Sequence, residues 1–265
     1  MKLGLGQFTT TWFDSTKNKE HCLKLVQKAK EQLCNIIFFP EMTLTGFSWD
    51  IKSVINCISP KDTFNFFKEI ALEYSMYIGF GSVEIENSKY YNSYTILSPK
   101  GIVINKYYKM HPFSPGKENL LISPGDSISF CPIDNITLST FICYDLRFPE
   151  IFQIASKKSQ LIIVASAWPN ARKEHWLTLL KARAIENQCY IAGINSYGYD
   201  LENQYYSGDS VIINANGEIL SSCSDKEDLL TADIKAEEVF NIRNKFNVNE
   251  DRKNHTYLKY YKQFI

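Results

Sequence analysis

The stretch Phe141-Ile142-Cys143-Tyr144-Asp145-Leu146-Arg147-Phe148-Pro149-Glu150 constrains the fold more tightly than any other part of the chain. Upstream of it, Ile136, Leu138, Thr140 and Ile142 alternate in the manner of a half-buried strand. Pro149 then suits the first position of a helix, where its missing N–H costs nothing. Cys143 therefore falls in a strand-to-helix turn. The backbone N–H groups that open such a turn are unpaired and point outward. They can lower a thiol's pKa and can receive negative charge growing on a substrate oxygen.

Two other runs end in a similar way. Residues 35–39 are apolar after Asn35, close at Pro40 and place a carboxylate at Glu41. Residues 102–112 alternate so that Val103, Asn105, Tyr107 and Lys109 share one face. In an α/β fold, residues just beyond the carboxyl ends of neighbouring strands meet around a common crevice. Glu41, Lys109 and Cys143 can thus converge although they lie far apart in the chain.

The remaining sequence alternates strands and helices. Residues 1–8 read as a first strand, and Asp14 or Ser15 caps a helix whose inward stripe is Cys22, Leu25, Val26, Ala29 and Leu33. Asp62 caps a second helix with Phe67, Ile70, Ala71 and Tyr74 inward. Residues 76–85 and 90–97 read as paired strands, 160–166 and 189–195 as buried strands, and 174–186 as a helix between them. Residues 209–214 and 218–221 form a hairpin over Asn216-Gly217, followed by a strand at 229–234 and a last helix. With no internal repeat or low-complexity linker, residues 1–265 read as a single layered α/β domain.

Charge narrows the choice of partner. Twenty-nine basic and 29 acidic residues balance, which gives no electrostatic case for a nucleic acid or an anionic membrane. Seven cysteines, at 22, 34, 57, 131, 143, 189 and 223, form an odd set without metal-ligand spacing, and most read as small core hydrophobes. Neither a metal nor another cofactor is expected. The N-terminal residues lack a long apolar run, so neither a secretion signal nor a membrane anchor is expected. A reducing cytoplasm is the default location, and there a free catalytic thiol persists.

On these residues the sequence resembles the carbon–nitrogen hydrolase (nitrilase) superfamily, whose members carry a Glu-Lys-Cys triad in this chain order. The resemblance is anchored by residues 39–47 around Glu41, 107–111 around Lys109 and 143–150 around Cys143, and extends through 121–126 and 181–190. Ala167-Trp168-Pro169-Asn170-Ala171-Arg172 followed by His175-Trp176 looks most like the bacterial ω-amidase branch. The resemblance implies a four-layer α-β-β-α sandwich and a homodimer paired through helices that flank the active-site strands.

It also implies roles. Cys143 would attack an amide carbon, because an amide is too stable to hydrolyse without a covalent intermediate or a strongly activated water. Glu41 would act as general base and then as acid toward departing ammonia. Lys109 would hold Glu41 and, with the backbone N–H of Tyr144, stabilise the tetrahedral oxyanion. Glu118, six positions before Pro124, matches the family's second, supporting glutamate. The segment between His111 and Glu118 is shorter than in many relatives, which leaves the depth of the pocket open. His111 and His175 read as structural, since the glutamate already fills the acid–base role.

Substrates of the ω-amidase kind are 2-oxoglutaramate and 2-oxosuccinamate, so the far end of the pocket must hold a carboxylate. Arg172 is the leading candidate, because a guanidinium binds a carboxylate bidentately; a solvent or interface role for it stays open. Trp168 and Phe47 are candidate apolar walls. Arg147 and Arg183 read as structural partners of Asp145 and Glu186. Other readings remain at this stage: an amidase of deaminated glutathione, an N-carbamoyl or nitrile hydrolase, a catalytically silent binding module, and a redox sensor, for which no resolving cysteine lies near Cys143. A papain-like Cys-His-Asn hydrolase finds no histidine in a matching downstream motif.

Overall fold

Strands that are apolar on both faces need a cover on each side, and here two sheets and two helical layers supply it. The computed structural model describes residues 1–264. In chain order the elements are β1 (Lys2–Gln7), α1 (Ser15–Glu31), β2 (Ile36–Phe38), α2 (Ile51–Cys57), α3 (Pro60–Tyr74), β3 (Tyr77–Glu86), β4 (Lys89–Leu97) and β5 (Val103–Tyr108). They continue with β6 (Cys131–Ile133), β7 (Ile136–Ile142), α4 (Pro149–Ala155), β8 (Leu161–Ser166), α5 (Lys173–Asn187), β9 (Tyr190–Asn195) and β10 (Tyr197–Tyr199). The last are β11 (Tyr205–Ile213), β12 (Ile219–Ser224), β13 (Asp228–Asp233), α6 (Ala236–Lys245) and α7 (Asn254–Phe264).

One sheet runs β13-β1-β2-β3-β4-β5 and the other β10-β11-β9-β8-β7-β6, with β12 beside β11. The centres are parallel, β1 with β2 and β3, and β7 with β8 and β9, so their carboxyl ends lie on the same edge of each sheet. The strand β2 shows how the layers form. Ile36 and Phe38 face the core between the sheets, whereas Ile37 and the following Phe39 pack against Leu25 and Val26 of α1 and Phe67 of α3. A period of two thus fills two different interfaces. On the second sheet, every residue of β8 is buried, between the first sheet and the layer made by α4 and α5. The result is the four-layer α-β-β-α sandwich.

Several local expectations shift. The stripe of α1 holds at Cys22, Leu25, Val26 and Ala29, but Leu33 lies past the helix end at φ +59° and is 79% exposed. The helical period no longer governs it once Gln32 has ended the helix. The cap of α3 is Ser59, whose hydroxyl accepts from the Asp62 N–H at 3.1 Å; Pro60 takes the first turn, and Asp62 sits inside it as an acidic residue facing the helix N-terminus. Cys143 to Arg147 form a short 3₁₀ turn before α4 begins at Pro149. The hairpin between β11 and β12 turns over residues 214–218, with Gly217 at φ +83° as the Asn-Gly pair requires. The helix α2 and a second C-terminal helix, α7, were not anticipated; α7 has no buried residue. Among the described residues, no helix is long and apolar enough to cross a membrane.

Candidate active site

The carboxyl ends of β2, β5, β7 and β8 open onto one cavity. Glu41 follows β2 in a tight turn. Met42 there takes φ +45°, and Thr43 secures the turn by donating its hydroxyl to the Pro40 carbonyl at 2.7 Å and accepting the Gly81 N–H at 3.0 Å. Gly81 must be glycine for this approach, since a Cβ would lie 2.6 Å from the Met42 nitrogen. Glu41 itself is 1% exposed. Its Oε2 accepts the Ala167 N–H at 3.0 Å, just past β8, so the carboxylate bridges the two sheets.

Lys109, at the end of β5, is equally buried. Its ammonium lies 2.9 Å from Glu41 Oε1 and 2.9 Å from Glu118 Oε2. Glu118 stands in a short 3₁₀ turn and also accepts the Phe113 N–H at 2.6 Å, which fastens the loop of residues 111–118. The Phe47 ring lies 5.3 Å from the same ammonium, a further attraction for a cation. Burial alone would pull the lysine's pKa down, but the two carboxylates outweigh it and hold the lysine firmly protonated. The pKa of Glu41 rises as well. Desolvation raises its pKa and Lys109 opposes that rise only in part.

Cys143 follows β7 at φ +46°, a left-handed conformation that a side chain adopts only when its surroundings enforce it. The enforcing group is Asp145. Its carboxylate accepts from the Ile142 N–H at 3.0 Å, the Tyr107 hydroxyl at 2.8 Å and the His111 N–H at 3.0 Å, and it pairs with the His111 ring at 2.8 Å. One buried carboxylate therefore ties the cysteine turn to the strand that carries Lys109. The expectation that turn N–H groups would lower the thiol's pKa fails. Burial pushes the Cys143 thiol up, and the nearby Glu41 charge pushes it further.

The cavity above these groups measures ≈ 380 Å³, enough for a small metabolite. Cys143 and Lys109 lie at its floor, and Phe47, Trp168, Arg147 and Arg172 are in its lining. Trp168 is clamped by Asn195, whose amide oxygen accepts the Trp168 N–H at 2.6 Å and whose nitrogen donates to the Trp168 carbonyl at 3.0 Å. Arg147 does not pair with Asp145, whose oxygens are already taken; its guanidinium lies 4.8 Å over the Trp168 ring and faces the cavity. Arg172 lies 5.8 Å from the Phe113 ring. Arg183 does pair with Glu186, at 2.9 Å. Among the described residues, no group of three or more His, Cys, Asp or Glu is placed to hold a metal ion.

The family model for carbon–nitrogen hydrolases matches residues 2–244. The chain belongs to the carbon–nitrogen hydrolase family. A Staphylococcus aureus protein named as a hydrolase in the agr operon is 31% identical to this hydrolase, over 90% of the present chain and 93% of its own length. A 2-oxoglutaramate amidase of Bacillus subtilis is 30% identical over 92% and 95% of the two chains. Among solved structures, a hydrolase of the same superfamily from Xanthomonas campestris, which carries an arsenic adduct in its active site, superposes with a TM-score of 0.87 at 26% identity, covering 96% and 97% of the two chains. The enzyme is a hydrolase of carbon–nitrogen bonds in linear amides.

The structure of the hydrolase brings Lys109 and Cys143 to one cavity floor, with Glu41 and Glu118 bonded to Lys109 beneath it and Phe47, Trp168 and Arg172 in its lining. Sequence reasoning passed over Arg147 in the wall, Asp145 as the anchor of the cysteine turn, and Asn195 behind Trp168. It also passed over Asn92, which bonds both glutamates. An asparagine inside an otherwise strand-forming run is unusual enough to have been the signal.

Proposed function

We propose that the hydrolase cleaves the terminal amide of a small 2-oxo dicarboxylate monoamide, of the 2-oxoglutaramate or 2-oxosuccinamate type, to the acid and ammonia. The observation that carries this reading is the buried carboxylate–ammonium pair of Glu41 and Lys109 beneath a cavity lined by Cys143 and by two arginines. A thiol whose pKa is raised needs a base at the moment of attack. Glu41, with its raised pKa, is suited to take that proton.

As the Cys143 sulfur bonds to the amide carbon, its proton passes to Glu41. The carbonyl oxygen becomes an oxyanion, received by Lys109 and by the backbone N–H of Tyr144 at the start of the 3₁₀ turn. Glu41 then protonates the nitrogen, the C–N bond breaks, and ammonia leaves a thioester on Cys143. Water attacks the thioester while giving a proton to Glu41. When the C–S bond breaks, that proton returns to sulfur and the acid is released. Glu118 holds Lys109 throughout. The distal carboxylate of the substrate binds the arginine side of the cavity, Arg172 first, with Arg147 beside it. The 2-oxoglutaramate amidase among the relatives supports this choice of substrate.

Rapid quenching with 2-oxoglutaramate followed by mass spectrometry tests the reading. The expected result is an acyl adduct on Cys143 and none on the other six cysteines. Cys143→Ala should lose about 10⁴-fold or more in turnover while keeping its fold. Wild-type turnover in that variant, or a trapped adduct elsewhere, would end the mechanism.

A further inference from the structure

Two carboxylates and one ammonium meet beneath the cavity, each about 1% exposed, so that with both acids ionised one negative charge is in surplus. Carboxylates that share a site raise each other's affinity for a proton, so one of the pair tends to be neutralised. A protonated Glu41 is no base. Something must spread the excess charge, and a single ammonium is the one cation bonded to both.

Asn92 of β4 is fully buried, and its amide nitrogen lies 2.7 Å from Glu41 Oε1 and 3.0 Å from Glu118 Oε1. An amide nitrogen carries two hydrogens, so it can give one to each carboxylate. The opposite orientation would turn the amide oxygen toward both anions, which fixes the flip; in the resulting pose Oδ1 is buried without a protein partner. The same residue's backbone carbonyl accepts the Lys109 N–H at 2.8 Å, so Asn92 also sets the strand from which the ammonium is presented. A buried side chain that leaves its own oxygen unpaired in order to donate twice is costly for packing alone.

We infer that Asn92 is a positioning residue for the hydrolytic reaction: its two N–H groups hold Glu41 and Glu118 apart around Lys109 and keep both ionised, so that Glu41 is free to accept the Cys143 proton. This rests on the assignment of Glu41 as general base. The charged and titratable groups that face Glu41 are Lys109, Glu118 and Cys143; Asn92 and the Ala167 N–H are its neutral donors. Removing the neutral donor from β4 raises the proton affinity of Glu41. The acidic limb of the kcat/KM profile then moves to higher pH.

The experiment is the pH dependence of ammonia release from 2-oxoglutaramate by wild type, Asn92→Leu, Asn92→Thr and Glu41→Gln. In Asn92→Leu the acidic limb should rise by about one to two pH units, the size expected for one lost hydrogen bond to a charged acceptor. Activity should recover toward the wild-type value on the alkaline side. Asn92→Thr suits a strand and keeps one donor, so its limb should rise by less, and it carries the test if the leucine variant does not fold. An unmoved limb in either folded variant overturns the inference, as does a loss of activity equal at every pH, which is what a packing role predicts. Failure of both variants to fold also overturns it, by making Asn92 a requirement of the fold. Full activity in Glu41→Gln would instead remove the base assignment on which the inference stands, whereas an inactive Glu41→Gln beside unmoved Asn92 limbs defeats the inference alone.

Discussion

The floor and the wall of the cavity are built on different principles. On the floor, Glu41, Lys109, Glu118 and Asn92 are almost fully buried, sit at strand ends or in turns pinned to them, and satisfy one another through short hydrogen bonds. On the wall, Arg147 and Arg172 are partly exposed and held largely by contact with aromatic rings, and the loop of residues 200–204 bonds mainly to itself through Asp200. Charges that are desolvated in advance cost stability and gain chemical reach. Charges left half in water cost little and can be exchanged. On the proposed reading the chemistry is fixed by the sheets, and the choice of acyl group falls to side chains that can change without disturbing them.

Lys109→Met should give the largest response to this contrast. It leaves two carboxylates buried without a cation, a loss of about 3–5 kcal/mol in stability by denaturant titration, and it removes an oxyanion donor worth about 10²–10³ in kcat. An unchanged unfolding midpoint would mean that the floor is wetter than its geometry indicates. Arg172→Ala should be milder: KM for 2-oxoglutaramate rises by about tenfold or more, the value of a hydrogen-bonded charge partner, while a neutral amide such as butyramide is hydrolysed as before. Equal effects on both amides would take Arg172 out of carboxylate binding and leave Arg147 as the anchor. Glu202→Gln should be smallest. Removing this exposed rim charge lowers KM for the anionic amide by no more than about fivefold, and the difference vanishes in high salt. A larger effect would show that the wall is not as open as described.

The contrast also explains what could be read from the sequence. Glu41, Lys109 and Cys143 stood out because each follows a strand run, and the ends of neighbouring strands must meet. Glu118 was legible only through the family pattern, since a glutamate in a short turn carries no periodicity of its own. Arg147 was assigned to Asp145 because the two are close in the chain. The competition was decided in space by Tyr107, His111 and the Ile142 N–H, which occupy that carboxylate first. Asn92 was hidden because alternation tells which way a strand residue faces and not what it meets. Leu33 shows the converse error, a helical period carried past the cap at Gln32 to a residue whose own backbone is left-handed. The thiol's proton affinity was misjudged for a related reason: turn geometry is visible in sequence, and burial beside a carboxylate is not.

With both carboxylates ionised, as the inference on Asn92 requires, Glu41, Lys109 and Glu118 together carry one net negative charge. An uncharged carboxamide can settle against that floor without electrostatic penalty. The acid that replaces it cannot, because on ionising it faces like charge through a poorly screening medium. Hydrolysis thus converts a welcome guest into a repelled one. Weak inhibition by the acid product, measured beside the affinity for the amide, is the expected outcome, and an acid that binds as tightly as the amide would contradict it.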